Sequence, residues 1–340
     1  MTENKRNIPF TKVIEALLDQ TRPFPAFHLH RFSDLPEKEL EILKTEWSKI
    51  HPTRRLTLLE DLEELAEADT LLCFDDIAKY ALEDEDPRVR EVAIHLLWEV
   101  EDARLAPRFM KMLLQDADEK VRAAAAGALG LFVYLGELDQ IPSTIHHQVE
   151  ECLLDQFTSN EPKAIRRKAL ESLGYSGREE VIQLISSAFA TNENDWMASA
   201  LCAMGRSADI RWENAILNML EHPLAHVQEE AVRAAGALEL SSARQPLLKL
   251  LEEKDSLDSG VFGALIWSLS QIGGEHVREA LEELAEDAED DTEIDYIESA
   301  LENLEFTDNF TLTDLFDFDI DSKSDLDAAD HTSTEEDEDQ

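Results

Sequence analysis

The side chains that could do chemistry in this 340-residue chain are few and far apart. Two histidine pairs stand out, His28 with His30 and His146 with His147. A zinc site needs three or four nitrogen, sulfur or carboxylate ligands converging on one point, and neither pair brings an evident third. Adjacent helical residues point about 100° apart, which separates His146 from His147. Cys73, Cys152 and Cys202 are odd in number and set among apolar residues. That usage suits small buried side chains in a reducing compartment better than a disulfide framework or a metal motif. The sequence holds no glycine-rich phosphate loop, nucleophile elbow or metal-spaced carboxylate set. The expectation is a chain with no catalytic residue, no metal and no cofactor.

The elements that would position any site repeat along the chain. In DEKVRAAAAGALG, residues 118–130, small or apolar residues follow Val121 at four, seven and eight positions, one stripe of a 3.6-residue helix. The same stripe recurs from Val89, Ile165, Trp196, Val227, Val261 and Glu293, at spacings of 32, 44, 31, 31, 34 and 32 residues. Such a period marks a stacked helical array. Asp86 and Asp118, three residues before their anchors, read as N-caps, and each stands four residues before an arginine, Arg90 and Arg122, at ion-pair spacing. Arg166 follows Ile165 in the same way. Gly130, Gly174, Gly205 and Gly236, nine residues after their anchors, read as helix ends or close crossings. Second helices are expected over residues 107–114, 179–189, 212–220, 243–251 and 275–285. Trp98, Trp196, Trp212 and Trp267 fall near the packing stripe and read as core by default, a ligand groove being the lesser reading.

Charge limits the partners. The chain has 75 acidic against 31 basic residues, a net charge of −44, and nucleic acid binding needs the opposite, a basic stripe that displaces counterions. Nucleic acid and membrane are therefore not expected. The segment after residue 306 loses the periodicity, and residues 307–340 hold 13 acidic side chains and one basic, Lys323. A disordered acidic tail is the expectation there. Within it Phe310, Leu312, Leu315, Phe316, Phe318 and Ile320 are dense enough to dock on a partner or to cap the last repeat. The start, MTENKRNIPF, is not followed by a signal-peptide apolar region, and no run of about 18 apolar residues occurs. Together with the cysteine usage this points to a cytoplasmic protein.

The motif DxxVRxxAxxALG at residues 118–130 resembles the HEAT-type repeat, and its short period is similar to that of the phycobilisome lyases. The resemblance covers roughly residues 54–306. It implies an all-α fold, a right-handed α-solenoid of helix pairs. The organisation that follows has a divergent N-terminal segment (1–50), a capping helix pair (51–86), a repeat array (87–306) with an insertion at 131–148, and the tail (307–340). The resemblance implies a non-catalytic, monomeric scaffold that binds protein partners along a repeat surface, a basic partner being one reading. A bilin-lyase-like enzyme or subunit and an acidic chaperone for a basic protein are the alternatives. The deoxyhypusine hydroxylase branch of the family holds iron with His-Glu pairs, and no His-Glu dipeptide occurs here. That activity is not expected.

Overall fold

The structure, a computed structural model, describes residues 8–288 and 290–309, and among them there is helix but no strand. The acidic residues from 310 onward, with the whole apolar cluster from Phe310 to Ile320, lie outside the described residues. No helix among those described is long and apolar enough to cross a membrane. The chain divides into two compact units, one ending at Trp212 and the other starting at Glu213.

The first unit contains α1 (Phe10–Leu18), α2 (Glu37–Trp47), α3 (Pro52–Ala68), α4 (Asp75–Ala81), α5 (Pro87–His95), α6 (Ala106–Gln115), α7 (Glu119–Glu137), α8 (Ser143–Thr158), α9 (Lys163–Leu173), α10 (Glu179–Phe189) and α11 (Asn194–Arg206). The anchor helices α3, α5, α7, α9 and α11 stack side by side, and α6, α8 and α10 form a second layer against them. The second unit repeats the scheme. In it α13 (Ala225–Ala237), α15 (Ser259–Ile272) and α17 (Asp291–Asn309) stack on one another, with α12 (Glu213–Leu217), α14 (Arg244–Leu251) and α16 (Val277–Asp287) beside them.

The apolar stripe holds each unit together. Val89, Val121, Ile165, Val227 and Val261 are fully buried, and Trp196 nearly so. Burying one such side chain contributes about 1.5–3 kcal/mol, more than any cap or surface ion pair in the same repeat. The polar residues therefore tune register, and the stripe supplies the cohesion.

A cap three residues before every anchor is the pattern that Asp86 and Asp118 suggest, and it forms in only some repeats. Asp86 accepts from the Arg88 N–H, Asp118 from those of Lys120 and Val121, and Asp258 from that of Gly260. The helices α9, α11 and α13 start at Pro162, Glu193 and Leu224 with no side-chain cap. Replacing Asp118 by alanine orphans two N–H groups, and a loss of about 1 kcal/mol is expected. A urea midpoint indistinguishable from that of the unchanged chain would rule this cap out as a source of stability.

The arginines do not pair with the aspartates four residues earlier. Those aspartates are turned onto their own helix N-termini, so the arginines reach sideways. Arg90 makes a two-pronged pair with Asp116, at 2.8 and 2.7 Å, and also donates to the Asp84 carbonyl. Arg122 donates to the Asp116 carbonyl and reaches Glu161 at 3.2 Å. Arg166 donates to the Phe157 carbonyl and lies over the rings of Phe157 and Trp196. Gln228 stands at the same repeat position and donates to the Leu220 carbonyl. The residue after the anchor thus ties down the loop that precedes its own helix, whether it is arginine or glutamine. Burial pushes the Asp116 carboxyl up, but the hydrogen bonds from Arg90 and the Asp118 N–H and the nearby arginine charges outweigh it. Its pKa ends below the usual carboxylate range.

Three of the four glycines sit at close helix crossings, and one of these, Gly174, also ends its helix. Gly130 and Gly205 lie inside α7 and α11 and Gly236 inside the last turn of α13. Gly174 follows α9 at φ −51°, an ordinary right-handed value. Gly130 faces Ser172, Gly174 faces Ala203 and Gly236 faces Ser268. In each case a glycine nine residues after one anchor meets the residue seven after the next.

Three other expectations change. The segment expected to be helical over 212–220 is a 3-10 turn, Ile210–Trp212, followed by the single turn of α12. Residues 141–144, Ile-Pro-Ser-Thr, read as a loop in the sequence, but the loop closes at Pro142 and Ser143 already starts α8. Cys73, in the connection between α3 and α4, is exposed, while Cys152 and Cys202 are half-buried. The N-terminal segment folds back: its 3-10 turn, Ala26–Phe32, packs on α3 and buries His28, Leu29 and Phe32.

Candidate functional site

Between α3, α5, α7 and α9 the first unit opens a groove of about 780 Å³. Its floor is made of small residues because the helix crossings demand them: Ala123, Ala124 and Gly127 lie on the half-buried side of α7. Trp98 stands over this floor. It sits in the turn after α5 with 62% of its surface exposed. Trp98 is therefore not core, although Trp196 and Trp212 are buried and Trp267 half-buried. The stripe of α5 ends at Leu97, so the next residue in the turn points outward.

The rim is acidic. Glu63, Glu67, Asp75 and Glu99 line the groove. Burial pushes the Glu63 carboxyl up, His95 at 3.4 Å draws it down, and the charge of Glu67 pushes it up again, leaving it above the usual range. The two cations in the groove are already engaged. Lys168 donates to Glu171 at 2.7 Å, and Arg206 donates to the Glu171 carbonyl and lies over the Tyr175 ring. Asp75 is paired with Lys79 at 3.0 Å, so the groove combines an exposed indole, a small-residue floor and a rim whose net charge is acidic. Cys73 and Asp75 also line it, and burial pushes the Cys73 thiol up, so that it stays protonated rather than thiolate near neutral pH.

Of the residues singled out in the sequence, Asp86, Arg90, Asp118, Arg122 and Arg166 sit in loops and helix starts that fasten one repeat to its neighbour. Gly130, Gly174 and Gly236 sit at helix crossings and Gly205 is buried within α11. None of these lines the groove. Trp98 reads first as core in the sequence and a ligand groove is the lesser reading, because nothing in the apolar pattern shows that its helix ends at His95.

The second grouping that sequence reading missed is a possible metal-ligand set. Glu137, His146 and Glu150 each bring one ligand atom to within 4.8 Å of the others. His146 and Glu150 are four residues apart on α8, the spacing that places two side chains on one helix face. That signal lay in the sequence beside the less useful His146–His147 adjacency. Glu137 arrives from the end of α7.

The comparisons with known proteins bear on the fold. No curated protein matches the chain. Among solved structures, YibA of Escherichia coli is 14% identical over 84% of this chain and 99% of its own, with a TM-score of 0.39. Human deoxyhypusine hydroxylase, solved with glycerol, is 15% identical over 87% and 96%, with a TM-score of 0.36. An engineered protein is 18% identical over 87% and 88%, with a TM-score of 0.38. The family model described as HEAT repeats matches residues 74–145 in the first unit and 213–302 in the second. With the stacked anchor helices and their second layer in both places, these two stretches carry HEAT-type repeats.

Proposed function

We propose that the chain is a non-catalytic interaction scaffold whose first unit takes a basic segment of a partner protein into the groove under Trp98. The observation that carries this reading is the exposed Trp98 beside Glu63, Glu67 and Glu99. An arginine or lysine laid on the indole gains about 0.5–1 kcal/mol at an exposed site, and more once water is excluded. The rim supplies complementary charge, which sets approach rate and selectivity. The net charge of −44 favours the same partner class over the whole surface.

The test is fluorescence anisotropy with a labelled peptide alternating arginine and leucine, against a counterpart with glutamate for arginine. The arginine peptide is expected to bind and the glutamate peptide not to. Trp98→Ala is expected to weaken binding about 30-fold, the scale of an interface hot spot. Glu63→Gln with Glu67→Gln should weaken it less and flatten its salt dependence. Equal binding of both peptides, or a Trp98→Ala variant that binds as before, would refute the reading.

A further inference from the structure

The carboxylates and imidazole at the end of α7 and the start of α8 are arranged in a way that their own hydrogen bonds do not explain. His146 Nε2 is out of contact with solvent and has no hydrogen-bond partner. It points between Glu137 Oε1 at 3.7 Å and Glu150 Oε1 at 3.6 Å, both beyond hydrogen-bond distance. The Glu150 side chain is only 7% exposed, and a buried carboxylate needs a cation or several donors. Ser176 Oγ donates to its Oε1 at 2.5 Å, while the nearest guanidinium nitrogen, from Arg178, stays 3.8 Å from Oε2. Arg178 is itself drawn to Glu151 at 2.7 Å and to Glu180.

We propose that Glu137, His146 and Glu150 form a three-ligand site for a divalent transition-metal ion, with zinc the best match. With bonds of about 2.0–2.2 Å to nitrogen and oxygen, two ligands of a tetrahedral zinc ion stand about 3.4 Å apart. The separations of 3.6 and 3.7 Å from His146 lie near that edge, and the two carboxylates stand within 4.8 Å of each other and close on the ion as it binds. Imidazole with carboxylates suits zinc, whereas magnesium and calcium take oxygen ligands.

The surroundings are built for these ligands. The Gly177 N–H donates to Glu137 Oε1 at 2.9 Å and Ser176 holds Glu150, so both carboxylates are oriented from outside the set. Gly136 makes room for the imidazole: a Cβ there would come within 2.2 Å of the His146 ring. Glu137 is the last residue of α7, where the helix dipole favours a cation. The ion joins α7 to α8 across residues 138–142, and its expected effect is to rigidify the insertion.

The experiment uses the full chain stripped with chelator and titrated with Co²⁺, then with Zn²⁺ in competition. One equivalent of Co²⁺ is expected to give the intense visible bands of tetrahedral coordination, and Zn²⁺ to bleach them. His146→Gln and Glu150→Gln should abolish the bands, and Ser176→Ala should weaken binding about 10–100-fold, as expected of a positioning residue. If a buried variant fails to fold, as judged by circular dichroism, the exposed Glu137→Gln carries the test and should lose most of the affinity. A pale octahedral spectrum without fixed stoichiometry would mean scattered carboxylate binding and would overturn the site. So would unchanged bands in Glu137→Gln and His146→Gln.

Discussion

Gly174→Ala is expected to destabilise the first unit by about 1–3 kcal/mol, the range of overpacked cores, whereas Gly127→Ala in the neighbouring anchor helix is expected to stabilise it. A Cβ on Gly174 would lie 2.7 Å from Ala203 Cα and 2.8 Å from its carbonyl oxygen. Those are backbone atoms of α11 and cannot swing aside as a side chain would. To admit the methyl group α9 and α11 must part, and the cost spreads through the buried stripe at Ile165, Leu170 and Leu201. At Gly127 the nearest atom is Lys168 Cδ at 3.9 Å, an ordinary contact. There alanine keeps its intrinsic helix advantage of about 0.5–1 kcal/mol over glycine. Urea unfolding of the two variants should move the midpoint in opposite directions. A stable Gly174→Ala protein would mean that the crossing is looser than 2.7 Å implies.

The contrast between these glycines shows where the sequence stops being informative. The period of the anchors specifies the stacked helices well, because apolar spacing is a local property that burial rewards directly. Gly127 and Gly130 sit three residues apart in one alanine-rich run, and only the approach of Ser172 to one of them separates their roles. A glycine nine residues after an anchor could end the helix, cross a neighbour or, like Gly174, do both, and which of these occurs depends on the neighbouring repeat. The arginines teach the same lesson. The four-residue spacing of Asp118 and Arg122 suggested a pair within one helix, but the aspartate is occupied by N–H groups and the arginine finds Glu161 39 residues away. Trp98 was misplaced for a further reason: α5 stops at His95, and a tryptophan three residues later leaves the stripe. Of the site residues, the His146 and Glu150 spacing was legible. The contribution of Glu137 was not, since it depends on how α7 and α8 fold together.

The largest loss from a single surface-type residue is expected at Arg55, where replacement by methionine should cost about 3–5 kcal/mol, the scale of a buried ion pair broken from one side. Arg55 is 3% exposed and Asp84 is fully buried. The guanidinium donates to Asp84 Oδ2 at 2.6 Å and to Glu85 at 2.6 Å, Trp47 Nε1 donates to the same Asp84 oxygen at 2.6 Å, and the Asp86 N–H donates to Oδ1. Asp84 therefore joins α2, α3 and the start of α5 through one carboxylate. Methionine restores much of the volume but leaves that carboxylate buried with neutral donors only. The position had a signal, since Arg55 stands three, four and seven residues before the buried Leu58, Leu59 and Leu62, on the same face of α3. Pairing Arg55→Met with Asp84→Asn separates charge from packing: the double variant should recover part of the loss, because no uncompensated charge remains. A single variant that loses less than about 1 kcal/mol would mean that water reaches Asp84. A double variant no better than the single one would mean that the arginine acts through shape rather than through its charge.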